Sequence, residues 1–399
     1  MSKKTKIFIT GMGVVSSIGN NVPETLVSLL NEKTGLKKKS YPDLKSDFIV
    51  GEVNLSDKEL AAQSNFDEAQ ISRSSLLGIK AATECWGENK HNSRLSTGII
   101  SGTSVGGMDR SEVFFRNVSK GKSADFSNLL YHDSGNITER IADKLEIRGY
   151  VNTISTACSS SSNAIMHGAR LIKAGKLDRV LVGGVDALSE FTISGFKSLM
   201  IYNENWTSPF DENRQGLNLG EGAGFLLLES EESQQITGNK ILAELSGYNN
   251  SSDAFHQTAT SPDAKGATIA IETALKSAGL KPSQIDYVNA HGTGTKNNDL
   301  TESIAFKNVF GEKIPAFSST KSYTGHTLAA SGAIETIFSV LSINNKVLFP
   351  NLNYKSPIKE TGLVPVAKVE KTKNINHILS NAFGFGGNCT SLVISKTNN

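Results

Sequence analysis

A chain of 399 residues is long enough to bury a large core, as two domains or as one large duplicated one. Its 41 Lys and Arg nearly balance 39 Asp and Glu, so no strong field singles out nucleic acid or an anionic membrane as a partner. Three widely spaced cysteines, Cys85, Cys158 and Cys389, exclude a disulfide framework and metal-finger spacing, and fit a reducing cytosol.

The start is basic (Lys3, Lys4, Lys6) and runs into Ile7-Phe8-Ile9-Thr10-Gly11, too short and too soon broken for a signal segment. Lys6 to Thr10 reads as a first strand, ended by Gly11-Met12-Gly13. No apolar run approaches the ~18 residues of a membrane span, so a soluble, cytoplasmic protein is expected. Val22 to Asn31 and Arg73 to Cys85 read as helices, and Ser96 to Ile100 as a strand running into Gly102-Thr103-Ser104-Val105-Gly106-Gly107. Arg179 to Val182 reads as a strand ending in Gly183-Gly184, and Gly224 to Glu229 as one more. This alternation of strands and helices predicts a largely parallel α/β sheet.

Polar Glu231 to Asn239 marks a seam, and the pattern then restarts. Strands are expected at Ile241 to Leu245, Asp286 to Ala290 and Ala316 to Ser318, with late ones near Leu363 to Ala367, His377 to Asn381 and Ser391 to Ser395. Helices are expected over Gly266 to Ala278, from about Asn298, and from about Leu328 to Ile343. The economical reading is a duplicated α/β fold of two similar halves, residues 1–237 and 238–399.

Four segments carry chemistry. Strand Tyr150 to Ile154 leads to Cys158, followed by Ser159 to Asn163 as capping residues and a helix pattern from Ala164 to Ile172. A thiol at a helix N-terminus sees about +0.5 elementary charge and free N–H groups, which favour the nucleophilic thiolate. A packed structural cysteine is the alternative. His291-Gly292-Thr293-Gly294-Thr295 follows a strand end, where small neighbours leave the imidazole approachable. Lys321-Ser322-Tyr323-Thr324-Gly325-His326 leads into a helix carrying Glu335. Phe383-Gly384-Phe385-Gly386-Gly387 places aromatics between glycines, where they can swing as a gate or offer a backbone N–H to an oxyanion. Structural readings stand beside each: a core histidine, a solvated lysine, a packing loop. One thiol, two imidazoles, a lysine and mobile aromatics suit carbon–carbon bond chemistry on a thioester.

Taken in order, these segments resemble the elongating β-ketoacyl-acyl-carrier-protein synthases, thiolase-fold condensing enzymes of fatty-acid and polyketide or polyene assembly. The resemblance runs almost end to end: Gly11-Met12-Gly13, Gly102 to Gly107, Thr156 to Ser159, Gly183-Gly184, Ser208 to Asp211, Gly220 to Gly224, Asp253 to His256, His291 to Thr295, Lys321 to Gly332, and Phe383 to Gly387. It implies a layered α-β-α-β-α thiolase-like fold. It also implies that Cys158 accepts an acyl chain and that His291 and His326 hold the malonyl thioester carbonyl as carbon dioxide leaves. Backbone N–H groups of Cys158 and Phe385 would form the oxyanion hole, and Lys321 with Glu335 would orient the second histidine. Phe383, Phe385, Asp253 and His256 match gating positions. Thr293 and Thr295 match positions that bind the pantetheine arm, and the acyl pocket is expected near Val105 and Met108. Acyl- and malonyl-loaded acyl carrier protein and a homodimeric or related heterodimeric partner are implied, and no cofactor or metal.

Two places depart from the family pattern. Gly387-Asn388-Cys389 stands where Gly-Gly-Thr-Asn is usual, and Met200-Ile201-Tyr202-Asn203 stands for Arg-Ala-Leu-Ser on the carrier-docking face. The second leans towards a specialised polyketide or polyene chain. A catalytically inactive chain-length-factor partner and a non-decarboxylating thiolase-type acyl-CoA enzyme are the competing functions. The presence of Cys158, His291 and His326 speaks against the first, and the two histidines with Lys321 against the second.

Overall fold

The computed structural model describes residues 5–89 and 92–397; Lys3 and Lys4 lie outside them. Ten strands form one continuous sheet: β1 (Ile7–Ser16), β2 (Thr97–Gly102), β3 (Tyr150–Ile154), β4 (Arg179–Asp186), β5 (Gly222–Ser230), β6 (Ala243–Ser252), β7 (Tyr287–Asn289), β8 (Ala316–Ser318), β9 (His377–Gly384) and β10 (Asn388–Ser395). Their spatial order is β8-β7-β9-β10-β6-β1-β5-β4-β2-β3. Counted from either end inward, each half runs third, second, fourth, fifth, first of its own strands, so one topology occurs twice. The halves meet where β1 pairs antiparallel with β6, Phe8 opposite Glu244.

The sheet is mixed and not largely parallel. β2 pairs parallel with β3 and β4, and β7 with β8 and β9. The fifth strand of each half runs against its neighbours, β5 between β4 and β1, β10 between β9 and β6. Alternation alone does not fix strand sense, because residues 187–221 supply one helix plus enough loop to bring β5 in from the opposite end.

Two helices lie between the halves: the nucleophile helix Ser160–Lys173, packed on β4, β2 and β10, and the partner helix Ser331–Asn345, packed on β9, β5 and β10. The partner helix is buried from Ser331 to Ile343, and both contribute to the largest apolar cluster through Ile165, Ala169, Ile337 and Phe338. Helices Arg73–Trp86 and Ser134–Lys144 cover the outer face of the first half, and Lys265–Ala278 with Lys296–Phe310 that of the second. The result is the layered α-β-α-β-α arrangement.

Several strands outrun their expected ends. Glycines Gly11 and Gly13 lie inside β1, where a Cβ would stand 2.4 Å from the Cys85 carbonyl oxygen and 2.1 Å from that of Ala81. These glycines let helix Arg73–Trp86 lie against the strand; they do not end it. The polar seam is itself a short helix, Glu231–Thr237, capped by Ser230 and ended by Gly238 at φ +68°. Leu363 to Ala367 is not a strand: Val366 donates to the Phe317 carbonyl, but no ladder continues. Among the described residues no helix is long and apolar enough to cross a membrane.

Gly13→Ala is expected to lower stability by about 3 kcal/mol or more, because the obstructing atoms belong to backbone that cannot rotate away. Equilibrium denaturant unfolding checks this, and parent-like stability would contradict the close-approach reading.

Candidate active site

β3 delivers the chain to a strained turn. Ala157 sits at φ +53°, in the left-handed region that a residue with a Cβ adopts at a cost. The turn is braced from below: Ser160 Oγ accepts from the Thr156 N–H at 2.9 Å and donates to the Ala157 carbonyl at 2.6 Å. Cys158 is thereby set at the head of the nucleophile helix, 5% exposed. Ser159 does not cap this helix; its hydroxyl turns back to the Thr156 carbonyl (2.8 Å) and to Asn388 Oδ1 (2.7 Å).

The thiol is not held as thiolate in this closed arrangement. Burial pushes it up to about 11, outweighing the Lys321 charge and the N–H groups of Phe385 and Cys158 that favour the anion. Desolvation therefore beats the helix terminus until the site is opened or filled. Burial raises Cys389 further, to about 12, and Cys85 well above the ordinary thiol value.

His291 leaves β7 with its own N–H and that of Gly292 donated to the buried Glu302 carboxylate at 2.9 and 2.8 Å. Lys321, 1% exposed, places its ammonium 3.3 Å from His291 Nδ1 and 2.6 Å from the His291 carbonyl, and pairs with Glu335. An ammonium only donates, so Nδ1 of His291 is bare and its proton sits on Nε2. At His326 the Leu328 N–H donates to Nδ1 at 3.1 Å, with Ser331 Oγ also 3.1 Å away, which fixes the same tautomer. Lys321 thus orients the first histidine; the second is held by the backbone that follows it. This corrects the expectation that the pair orients His326.

Burial, reinforced by Lys321, drives both imidazoles well below the ordinary histidine value, so both are neutral. Burial also raises Glu335 to about 7 against the pull of Lys321. The rings meet edge to face, 5.4 Å between centroids. Ligand-type atoms of Cys158, His291 and His326 lie within 4.8 Å of one another. The trio has the composition of a metal site, yet the bare nitrogen of each ring is already engaged and Nε2 carries hydrogen. Each ring thus turns a donor, not a lone pair, towards what approaches it.

These three residues line a cavity of about 560 Å³, as do Thr293, Thr295 and Phe383. The two threonine hydroxyls are 2.9 Å apart. Phe385 turns its backbone N–H to the Cys158 sulfur and stacks its ring on Phe196 of helix Glu190–Ser198, centroids 5.7 Å apart and planes at 20°. Gly386 and Gly387 take φ +81° and +79°, angles that only glycine holds without strain. The gate is tied to the Asp253–His256 loop by two backbone bonds, Gly386 N–H to the Gln257 carbonyl and Asp253 N–H to the Gly387 carbonyl, both 2.7 Å. The Asp253 carboxylate then anchors Ser261 and Gly266. His256 is exposed, accepts only from the Thr258 N–H and hydroxyl, and does not line the cavity.

Neither Val105 nor Met108 lines the cavity. Val105 packs in the apolar cluster that includes Phe196, and Met108 opens the helix Met108–Ser119. Sequence reasoning missed Phe196, Glu302 and Asp186; the last joins the Val105 turn to the His326 segment by accepting N–H groups from Ser104, Val105 and Ala329. An Asp ending a strand or a Glu nearly two turns into Lys296–Phe310 carries no local signal of such a role.

Two family models match: "Beta-ketoacyl synthase, N-terminal domain" over residues 4–234, and "Beta-ketoacyl synthase, C-terminal domain" over residues 242–355. A 3-oxoacyl-[acyl-carrier-protein] synthase 2 of Staphylococcus aureus (strain COL) is 34% identical, covering 99% of both chains. The Coxiella burnetii protein of the same name is 31% identical with the same coverage. Among solved structures, the ishigamide ketosynthase/chain length factor superposes with TM-score 0.91 at 28% identity, over 99% of this chain and 100% of the other. A ketosynthase from Xenorhabdus doucetiae, solved in complex with its chain length factor, gives 0.83 at 31% over 100% and 99%.

One equivalent of iodoacetamide is expected to label Cys158 ahead of Cys85 and Cys389. With the thiol near 11, the rate should climb about tenfold per pH unit above neutrality, following the thiolate fraction. Peptide mass mapping across pH checks both points; preferential Cys389 labelling, or a rate already flat above neutral pH, would contradict the assignment.

Proposed function

The chain belongs to the β-ketoacyl synthase family, and we propose the following division of labour among its residues for that family's reaction. The reaction is the decarboxylative condensation of an acyl chain with malonyl-acyl carrier protein, giving 3-oxoacyl-acyl carrier protein in fatty-acid or polyketide elongation. The observation that carries the residue roles is the convergence of one thiol and two neutral imidazoles, with atoms within 4.8 Å of one another, on one cavity.

In the first half-reaction the Cys158 sulfur attacks the thioester carbonyl of acyl-loaded carrier protein. The oxyanion rests on the N–H groups of Cys158 and Phe385, the same groups that reach the sulfur in the closed site. The carbon–sulfur bond to pantetheine breaks, and the pantetheine thiol leaves with the proton that Cys158 gave up. Thr293 and Thr295 hold the pantetheine arm along the cavity wall.

In the second, malonyl carrier protein enters and its thioester oxygen takes hydrogen bonds from His291 and His326. The bond to the carboxylate breaks, carbon dioxide leaves, and the electron pair becomes an enolate. Neutral donors suit this charge, because they stabilise it without surrendering a proton. The enolate carbon attacks the acyl-Cys carbonyl, and collapse of that intermediate returns the Cys158 thiolate, which recovers a proton. Phe385, braced on Phe196, keeps the thiol covered until an acyl chain is delivered to it. Phe383 packs against His291, 5.9 Å between rings, and holds that ring in place. Glu335 keeps Lys321 in register.

The two halves, 1–237 and 238–399, divide the work: the first carries the nucleophile and the second both histidines. A cytoplasmic location is part of the same reading, as is a dimer with a second copy or a related subunit, supported by the relatives solved with chain length factors.

His291→Ala and His326→Ala are each expected to form acyl-Cys158 while losing malonyl decarboxylation by about 10²–10³. Intact-mass measurement of the acyl-enzyme and carbon dioxide release, read on the same preparations, test the division. Normal decarboxylation in both variants would contradict it.

A further inference from the structure

The residue directly after the gate glycines, Asn388, departs from the usual threonine and makes contacts out of proportion to its place in the chain. Its side-chain oxygen accepts from three donors: Ser159 Oγ at 2.7 Å, Asn163 Nδ2 at 2.8 Å and Asn250 Nδ2 at 2.6 Å. Each donor belongs to a different working part. Ser159 follows the nucleophile, Asn163 lies one turn into the nucleophile helix, and Asn250 sits on β6 three residues before the Asp253–His256 loop.

The cluster closes on itself. Asn163 Oδ1 accepts from Thr390 Oγ1 at 2.8 Å and from Asn250 Nδ2 at 3.1 Å, and Asn250 Nδ2 also reaches Thr390 Oγ1 at 2.8 Å. Asn163 Nδ2 and Ser159 Oγ both reach Thr156 Oγ1, at 2.8 and 3.1 Å, on the strained turn before Cys158. Asn388 also opens β10, opposite Gly384 of β9 and Ser252 of β6. It is therefore the post at which the gate ends, and its oxygen is an acceptor shared by the turn, the helix and the strand that leads to the second loop. Asn163 is 5% exposed, so a displaced post would leave buried amide hydrogens unpaired, at substantial cost.

We propose that Asn388 is a positioning residue that makes the gate respond to the state of Cys158, through Ser159, Asn163 and Asn250. Seating an acyl group on Cys158 loads the turn that carries Ala157, and Ser159 passes the change to the gate post. The inference rests on the condensing-enzyme reading and deepens it: it assigns the group that enforces acylation before decarboxylation.

The test compares parent, Asn388→Leu, Asn388→Asp and Ser159→Ala. Two quantities are read: acylation of Cys158 by acyl carrier protein, and carbon dioxide release from malonyl carrier protein with and without prior acylation. The ratio of primed to unprimed release reports coupling. Asn388→Leu keeps the shape and removes the acceptor; its ratio is expected to fall about tenfold, with acylation close to the parent's. Asn388→Asp keeps the acceptor and is expected to restore most of the ratio. Ser159→Ala, which leaves the post in place, is expected to fall in the same direction as Asn388→Leu. A parent-like ratio in Ser159→Ala overturns the proposal, even where the leucine variant fails to fold, and so does an equal fall in the aspartate and leucine variants. A parent that forms no acyl-enzyme or releases no carbon dioxide would instead overturn the condensing-enzyme reading beneath it.

Discussion

Everything at the reacting end of this molecule hangs on a buried ammonium. Lys321 is 1% exposed, and a charge so placed persists only where each of its hydrogens has an acceptor. Here the acceptors are Glu335, the His291 carbonyl and His291 Nδ1. The last contact decides the chemistry, because it leaves His291 with its proton on Nε2 and opposes a second positive charge on the ring. The same charge lowers His326 and draws the thiol towards its anion. Burial keeps the two imidazoles neutral, and this one cation reinforces that and moderates the cost of the thiolate.

The second constraint is that the nucleophile and the imidazoles come from corresponding edges of two halves with one topology. Cys158 follows the third strand of the first half, Lys321 and His326 follow the third strand of the second, and His291 follows its second strand. The two central helices, packed between the halves, fix the distance between these edges. Over them lie Phe385, between glycines free to take left-handed angles, and the neighbouring loop joined to it by two backbone bonds. The strained Ala157 and the amide cluster around Asn388 connect that segment to the turn carrying Cys158.

Much of this was legible in the sequence because motifs at strand ends are local. Cys158, His291, His326, Lys321 and the glycine-flanked aromatics sit in short segments whose residue types announce chemistry, and the cavity brings them together. What was not legible is non-local. Gly11 and Gly13 looked like strand terminators because the helix that presses on them is some 70 residues away in sequence. The antiparallel fifth strands come in by the long connection 187–221 in the first half and by the three-residue turn 385–387 in the second, and neither leaves a periodic trace. Thiolate stabilisation at the helix terminus was a correct local argument overruled by burial, a tertiary property. His256 carried motif resemblance but faces solvent, whereas Phe196 carried none and props the gate.

The central claim is that both imidazoles present a neutral Nε2–H to the cavity. Nitrogen NMR on histidine-labelled protein distinguishes the two neutral tautomers from the cation, with His291→Ala and His326→Ala spectra assigning the signals. Between about pH 6 and 8, where an unperturbed imidazole titrates, the account predicts that both residues stay neutral with the proton on Nε2. A cationic ring, or a proton on Nδ1 of either residue, would contradict it.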